Sequence, residues 1–275
     1  MFQNHPGASR HPRMIRPPKI PGLSINKLIP NILTMLALCS GLTAIRFGLH
    51  DQWDKAVISI VVAAILDGLD GRVARLLQGT SKFGAELDSL SDFVCFGVAP
   101  ALLLYFWSLQ SLGGLGWAIT LLYAACCALR LARFNTMLGQ ADLPAYAYNF
   151  FTGVPAPAAA GVVLLPMAAG REFAEFFFSS PLIVGLFLVG VSFLMVSTLP
   201  TYSFKKVRIP NAWVLPVLVI AGVLAGLLVT EPWLTLTGLG LAYLGTIPLA
   251  VRSFARLKAQ AEQTAEAPPE SESVA

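Results

Sequence analysis

The sequence predicts an all-α, polytopic membrane helix bundle with about eight transmembrane helices. Composition is the first reason: 56% of the 275 residues are hydrophobic and 12% are charged. An ordinary soluble domain carries about 25% charged residues, so this chain lacks the polar surface that water requires. The second reason is length. The apolar residues fall in stretches of about 20, enough to cross ~30 Å of hydrocarbon as a helix. The third is pattern, since a membrane barrel would show alternating segments of ~10 residues and none is present.

The predicted spans are 31–49, 55–77, 88–109, 115–135, 150–170, 181–200, 211–229 and 234–254. Pro30 and Pro210 precede the first and seventh of these, where the opening of a helix tolerates a residue without an N–H. The first span does not read as a cleaved signal peptide, because its basic leader is too long and no small-residue cleavage site follows. Residues 1–27, rich in Pro, Arg and Lys, read as a flexible basic arm for an anionic lipid surface. Residues 28–258 form one transmembrane domain without an internal repeat, and 259–275 are too polar to pack and read as a disordered tail. Cys39, Cys95, Cys126 and Cys127 lie in or at the ends of apolar spans without metal-ligand spacing, so they read as small core residues.

Lys and Arg in short loops set orientation. With the N-terminus inside, sixteen of the 19 Lys and Arg residues fall on inner segments. Only Arg46, Lys55 and Arg171 fall outside. This bias predicts that both termini face the cytoplasm, and it favours an even number of spans.

Four carboxylates interrupt the second and third spans: Asp67, Asp70, Asp88 and Asp92. A charge near the membrane centre costs roughly 2.5–3.5 kcal/mol on insertion scales, so such groups face a partner or a watery cavity. Asp67 and Asp70 are spaced i,i+3, and Asp88 and Asp92 i,i+4, so each pair shares one helical face. A short loop near 78–82 lets the two faces converge. Four converging carboxylates cannot all stay ionised without cations between them, and hard divalent ions such as Mg²⁺ or Mn²⁺ suit oxygen ligands. The competing reading is a buried ion network with Arg72, Arg75 and Lys82. That reading leaves Gly68, Gly71 and Gly84 unexplained, whereas a phosphate-bearing ligand close to the backbone would account for them. Arg75 could then fork onto a phosphate oxygen.

The pattern Asp67-x-x-Asp70-Gly71-x-x-Ala74-Arg75, then eight residues, then Gly84-x-x-x-Asp88-x-x-x-Asp92, resembles the signature of the CDP-alcohol phosphotransferase family at every defined position. Eight fixed residues at usages of about 5–8% each arise by chance roughly once in 10¹⁰ starting points. The segment Pro30-Asn31-Ile32-Leu33-Thr34 also resembles the family's first helix. The resemblance implies a six-helix membrane core, a homodimer, and transfer of a phosphate-linked group from a CDP-linked substrate to an alcohol with release of CMP. It implies that Asp67, Asp70, Asp88 and Asp92 hold Mg²⁺ or Mn²⁺ and that Asp92 takes the acceptor's proton. It places Gly71, Ala74, Arg75 and Gly84 at the cytidine nucleotide. Eight spans rather than six is a departure, which leaves the role of the last two open.

Three further segments resemble the branch of the family that uses L-serine with CDP-diacylglycerol. They are Arg130-Leu131-Ala132-Arg133-Phe134-Asn135, Phe151 to Pro157, and Met195 to Lys205. Arg130, Arg133 and Lys205 are accordingly expected to bind the acceptor, since cations suit its carboxylate. Arg130 and Arg133 read equally as positive-inside anchors, and glycerol 3-phosphate or inositol phosphate would want similar cations. The expected enzyme is an integral protein of the cytoplasmic membrane, working on lipid at the cytoplasmic face, with no nucleic-acid partner. The alternatives are a sister enzyme with another acceptor (glycerol 3-phosphate, inositol phosphate or choline) or one making an archaeal-type serine lipid, or a cation-coupled secondary transporter.

Overall fold

The computed structural model describes residues 25–137, 150–202 and 211–266. The basic arm up to residue 24, Lys205, and the tail from 267 lie outside them. Within the described residues the chain is a bundle of helices with one short pair of strands. Helix α1 (Ile25–Gly48) and helix α2 (Trp53–Leu76) are antiparallel neighbours and form the most extensive helix pair. Pro30 lies inside α1 rather than at its opening turn, because the helix begins five residues earlier. Helix α3 (Lys82–Asp92) opens on Ser81, whose hydroxyl accepts from the Gly84 N–H at 3.0 Å and satisfies one of the orphan donors of a helix start. It runs through a π-helical segment (Phe93–Val98) into α4 (Ala99–Trp107), and the three form one 26-residue span. Helix α5 (Gly114–Met137) packs on this span, and its buried Tyr123 donates to the Phe96 carbonyl at 3.1 Å. That bond occupies a carbonyl in the segment where the ordinary helical ladder is disturbed.

The fifth predicted span is where the sequence reading needs correction. Residues 150–155 are not helical: β1 (Phe150–Thr152) pairs antiparallel with β2 (Pro200–Tyr202), in the register Phe150↔Tyr202, Phe151↔Thr201 and Thr152↔Pro200. Helix begins only at α6 (Ala156–Val163), breaks before Pro166, and resumes as α7 (Leu165–Ala169), a π-helical segment (Gly170–Ala174) and α8 (Glu175–Phe178). Pro155, Pro157 and Pro166 account for this, since each lacks an N–H for the ladder. Helix α9 (Pro181–Val196) also stops short of its predicted end at 200, and α10 (Asn211–Thr230) and α11 (Pro232–Glu266) follow. Helix α11 continues to Glu266, so the first residues of the expected disordered tail are helical.

Among the described residues, five helices are long and apolar enough to cross a membrane: Leu28–Gly48, Lys82–Trp107, Gly114–Met137, Trp213–Thr230 and Pro232–Leu257. Helix α2 is excluded from that group by its own charges: Asp54, Lys55, Asp67, Asp70, Arg72 and Arg75. Large apolar side chains are exposed along the helices among the described residues, Leu36, Leu42, Trp213, Leu215 and Val229 among them. An apolar surface of this extent belongs in lipid. The core contains many small residues, including Ala44, Ala56, Ala63, Ala99, Ala156 and Ala159, which let helices approach closely where no hydrophobic drive separates protein from lipid. The protein is an all-α integral membrane bundle.

Candidate active site

The i,i+3 pair on α2 and the i,i+4 pair on α3 converge as the sequence predicts. Asp67, Asp70 and Asp88 each present an oxygen within 4.8 Å of the others. Asp92, the last residue of α3, meets Asp67 side chain to side chain, and its Oδ1 is buried without a hydrogen-bond partner. Two carboxylates in contact need a proton or a cation between them, because neither can donate when ionised. No ion pair joins Asp67, Asp70 or Asp92 to Arg72, Arg75 or Lys82 among the described residues; the ion pair present there is Arg171–Asp54 at 3.1 Å. The internal ion network is therefore absent for these three acids. An all-oxygen donor set, close-packed and with a buried orphan oxygen beside it, fits a hard divalent cation.

Asp70 is 4% exposed and accepts a hydrogen bond from Thr34 Oγ1 at 2.6 Å. Thr34 is itself fixed, since its Oγ1 also reaches the Pro30 carbonyl at 3.1 Å and its own carbonyl accepts from Ser91 at 3.3 Å. Three helices thus meet at one threonine. Sequence reasoning noted Thr34 only as part of the first helix; its signal was a polar side chain on an apolar span.

Beside the acids lies a cavity of about 410 Å³, lined by Asn31, Thr34, Asp70, Gly71, Ala74, Arg75, Ser81, Gly84 and Asp88 among others. All four residues expected at the nucleotide, Gly71, Ala74, Arg75 and Gly84, line it. The two glycines serve different ends. A Cβ on Gly71 would meet nothing within 4 Å and would project into open space. A Cβ on Gly84 would lie 2.9 Å from Asn31 Oδ1 and 3.2 Å from Ser81 Oγ. Gly84 is there chiefly so that α1 can close on α3.

The expected acceptor residues separate likewise. Arg133 is committed to the backbone: it donates to the carbonyls of Val196 (2.8 Å), Thr152, Met195 and Ser197 (each 3.2 Å). It holds the end of α9 against β1, which is a structural task. Arg130 is 9% exposed, lies 5.8 Å over the Phe134 ring, and is close enough for its charge to act on Asp92. Both arginines line a smaller cavity of about 150 Å³ with Phe134, Met137, Phe150 and Thr152. Lys205 lies outside the described residues. The four cysteines are free thiols, with Cys95 and Cys127 buried in the core.

Residues 27–247 match the CDP-alcohol phosphatidyltransferase family. The chain belongs to this family. Among curated relatives it is similar to the CDP-diacylglycerol–serine O-phosphatidyltransferase of Mycobacterium tuberculosis, at 43% identity over 82% of this chain and 79% of that one. The Helicobacter pylori protein of the same name is 37% identical over 74% of this chain and 83% of its own length. The archaetidylserine synthase of Methanothermobacter thermautotrophicus is 33% identical over 62% and 68%. The matched residues include the acid cluster at the meeting of α2 and α3.

Proposed function

We propose that this phosphatidyltransferase moves the phosphatidyl group of CDP-diacylglycerol to the hydroxyl of L-serine, giving phosphatidylserine and CMP. The observation that carries the reading is the convergence of Asp67, Asp70 and Asp88 with Asp92 alongside, in a chain whose relatives bear serine-transferase names. Asp67, Asp70 and Asp88, with Asp92 beside them, hold the divalent metal, Mg²⁺ or Mn²⁺. When bound, this metal neutralises the pyrophosphate and the charge that gathers on departing CMP.

The chain's own residues do the rest. Gly71 and Ala74 leave room for the nucleotide, and Arg75 pairs with a phosphate oxygen. Asp92 accepts the proton of the serine hydroxyl as its oxygen attacks the phosphorus that bears diacylglycerol. The bond from that phosphorus to the bridging oxygen breaks, and CMP leaves with the bridging oxygen and its electron pair. Arg130 faces the acceptor. Holding both substrates in one site supplies the orientation. An apolar cavity of about 290 Å³ runs along α2 past Val57, Ile60, Val61, Ala64 and Ile65. It ends one turn from Asp67 and suits an acyl chain of the lipid substrate.

The site works at the cytoplasmic face of the cytoplasmic membrane, in a homodimer. The orientation rests on the sixteen-to-three distribution of Lys and Arg. The deciding experiment is CMP release from CDP-diacylglycerol by purified protein in detergent, with and without metal, over a panel of alcohols. Release with serine, and not with glycerol 3-phosphate, inositol phosphate or choline, is expected. Release with one of the others alone would keep the reaction class and remove serine. No metal-dependent release with any alcohol would remove the enzyme reading itself.

A further inference from the structure

Arg130 and the groups around it are left incomplete by the protein. Arg130 is buried, yet it donates no hydrogen bond to a described residue, and its nearest ring contact is Phe134. Four groups act on it by charge: Cys127 and Arg133 on its own helix, Asp92 at the end of α3 and Tyr243 on α11. The last two each carry a buried oxygen without a hydrogen-bond partner, Asp92 Oδ1 and Tyr243 Oη. Only one other such side-chain atom, Thr237 Oγ1, exists among the described residues. Thr201 lies beside the Tyr243 hydroxyl and donates to the Gly153 carbonyl at 2.9 Å, so its oxygen is an acceptor for Tyr243, but the two hydroxyls do not meet in hydrogen-bond geometry. A buried oxygen left unpaired costs free energy, so two such oxygens within electrostatic range of a guanidinium that bonds no described residue mark a place for a small polar ligand.

We propose that Tyr243, on the last helix, is an acceptor-binding residue that joins Arg130 in holding the carboxylate of the amino-acid acceptor. The assignment rests on the serine reading above. Serine carries its hydroxyl and its carboxylate on neighbouring carbons, so one small molecule offers a group to each of the three residues. Asp92 takes the hydroxyl proton, Arg130 supplies a cation, and the Tyr243 O–H supplies a neutral donor to the same carboxylate. An acceptor without a carboxylate leaves Tyr243 Oη unpaired, which is how a site rejects an analogue lacking one polar group.

The last helix is held where this role requires. Tyr202 Oη donates to the Leu249 carbonyl at 3.3 Å, and Phe254 meets Phe150 edge-on at 5.2 Å between ring centres. Phe150 lines the cavity beside Arg130, so α11 also braces one wall of it. The helices beyond the six-helix core thereby gain a function, since α11 completes the acceptor site.

The test is Tyr243→Phe in the full-length purified protein, assayed by CMP release with L-serine and CDP-diacylglycerol each varied in turn. The KM for serine should rise about tenfold or more, while the KM for CDP-diacylglycerol and the thermal stabilisation by that lipid stay as in the wild type. An unchanged serine KM overturns the assignment. So does an equal loss for both substrates, which would make the hydroxyl a packing group of α11. Wild-type protein that ignores serine and uses another alcohol would instead overturn the serine reading, and the carboxylate role of Tyr243 with it.

Discussion

Thr34 on α1 donates a 2.6 Å hydrogen bond to Asp70 on α2, and both residues are 4% exposed. The bond turns one carboxylate oxygen toward α1 and orients one acid of the Asp67–Asp70–Asp88 cluster from a neighbouring helix. Groups that orient a metal ligand typically matter about 10–100-fold in metal affinity or activity. Thr34→Val, which keeps the shape and removes the donor, should raise the Mg²⁺ or Mn²⁺ concentration for half-maximal CMP release by about that factor. Thr34→Ser should restore most of it. A metal titration that does not move in the valine variant would mean the bond serves only helix packing.

Asp92→Asn should leave the protein folded and inserted but nearly inactive. Loss of a general base typically costs about 10²- to 10⁴-fold, and a disturbed metal adds to that. The amide also donates a hydrogen bond to Asp67, so folding should not suffer. Turnover near that of the wild type would take Asp92 out of the base role.

Arg130 and Arg133 should part company on mutation. Arg133→Ala removes bonds to four carbonyls from two chain segments and should lower thermal stability by about 1–3 kcal/mol, with both substrates affected alike. Arg130→Gln should raise the serine requirement about 10- to 100-fold and leave CDP-diacylglycerol much as it was. Melting curves read beside the two KM values separate these cases, and the reverse pattern would exchange the two roles.

Gly71→Ala and Gly84→Ala make a matched pair. At Gly71 the added methyl meets open cavity, and alanine favours a helix interior over glycine by up to about 1 kcal/mol, so stability should hold or rise. The methyl should crowd the nucleotide and raise the KM for CDP-diacylglycerol. At Gly84 the methyl meets Asn31 Oδ1 at 2.9 Å, and overpacking of this kind typically costs about 1–3 kcal/mol. Opposite signs of the change in melting temperature are expected, and equal losses in both would contradict the geometry.

For orientation, a cysteine-free background carrying either Thr80→Cys or Glu172→Cys supplies the comparison, since both positions are exposed. A membrane-impermeant thiol reagent on intact cells should label the cysteine at 172 and spare the one at 80. Equal labelling of the two would refute the cytoplasmic site.

The sequence by itself determined the properties that depend on composition and on spacing along one helix. Lipid as solvent follows from the scarcity of charge. The pairing of Asp67 with Asp70, and of Asp88 with Asp92, follows from helical periodicity, which is local and needs no knowledge of neighbours. The short connection from Gln78 to Ser81 then leaves the two faces little choice but to meet. The prolines at 155, 157 and 166 carried a warning about the fifth span that average hydropathy overrode.

Only the tertiary structure decided what distant partners do. Thr34 and Asp70 are 36 residues apart, and Arg133 reaches carbonyls 62 to 64 residues away. An arginine near the end of a span looks the same in sequence whether its fork closes on backbone, as that of Arg133 does, or bonds no described residue, as that of Arg130 does. The different uses of Gly71 and Gly84 depend on what lies a few ångströms from a missing methyl group, and the orphan hydroxyl of Tyr243 on what surrounds α11. Such facts belong to the packing, because hydrogen-bond satisfaction is settled by whichever groups the fold brings within about 3 Å.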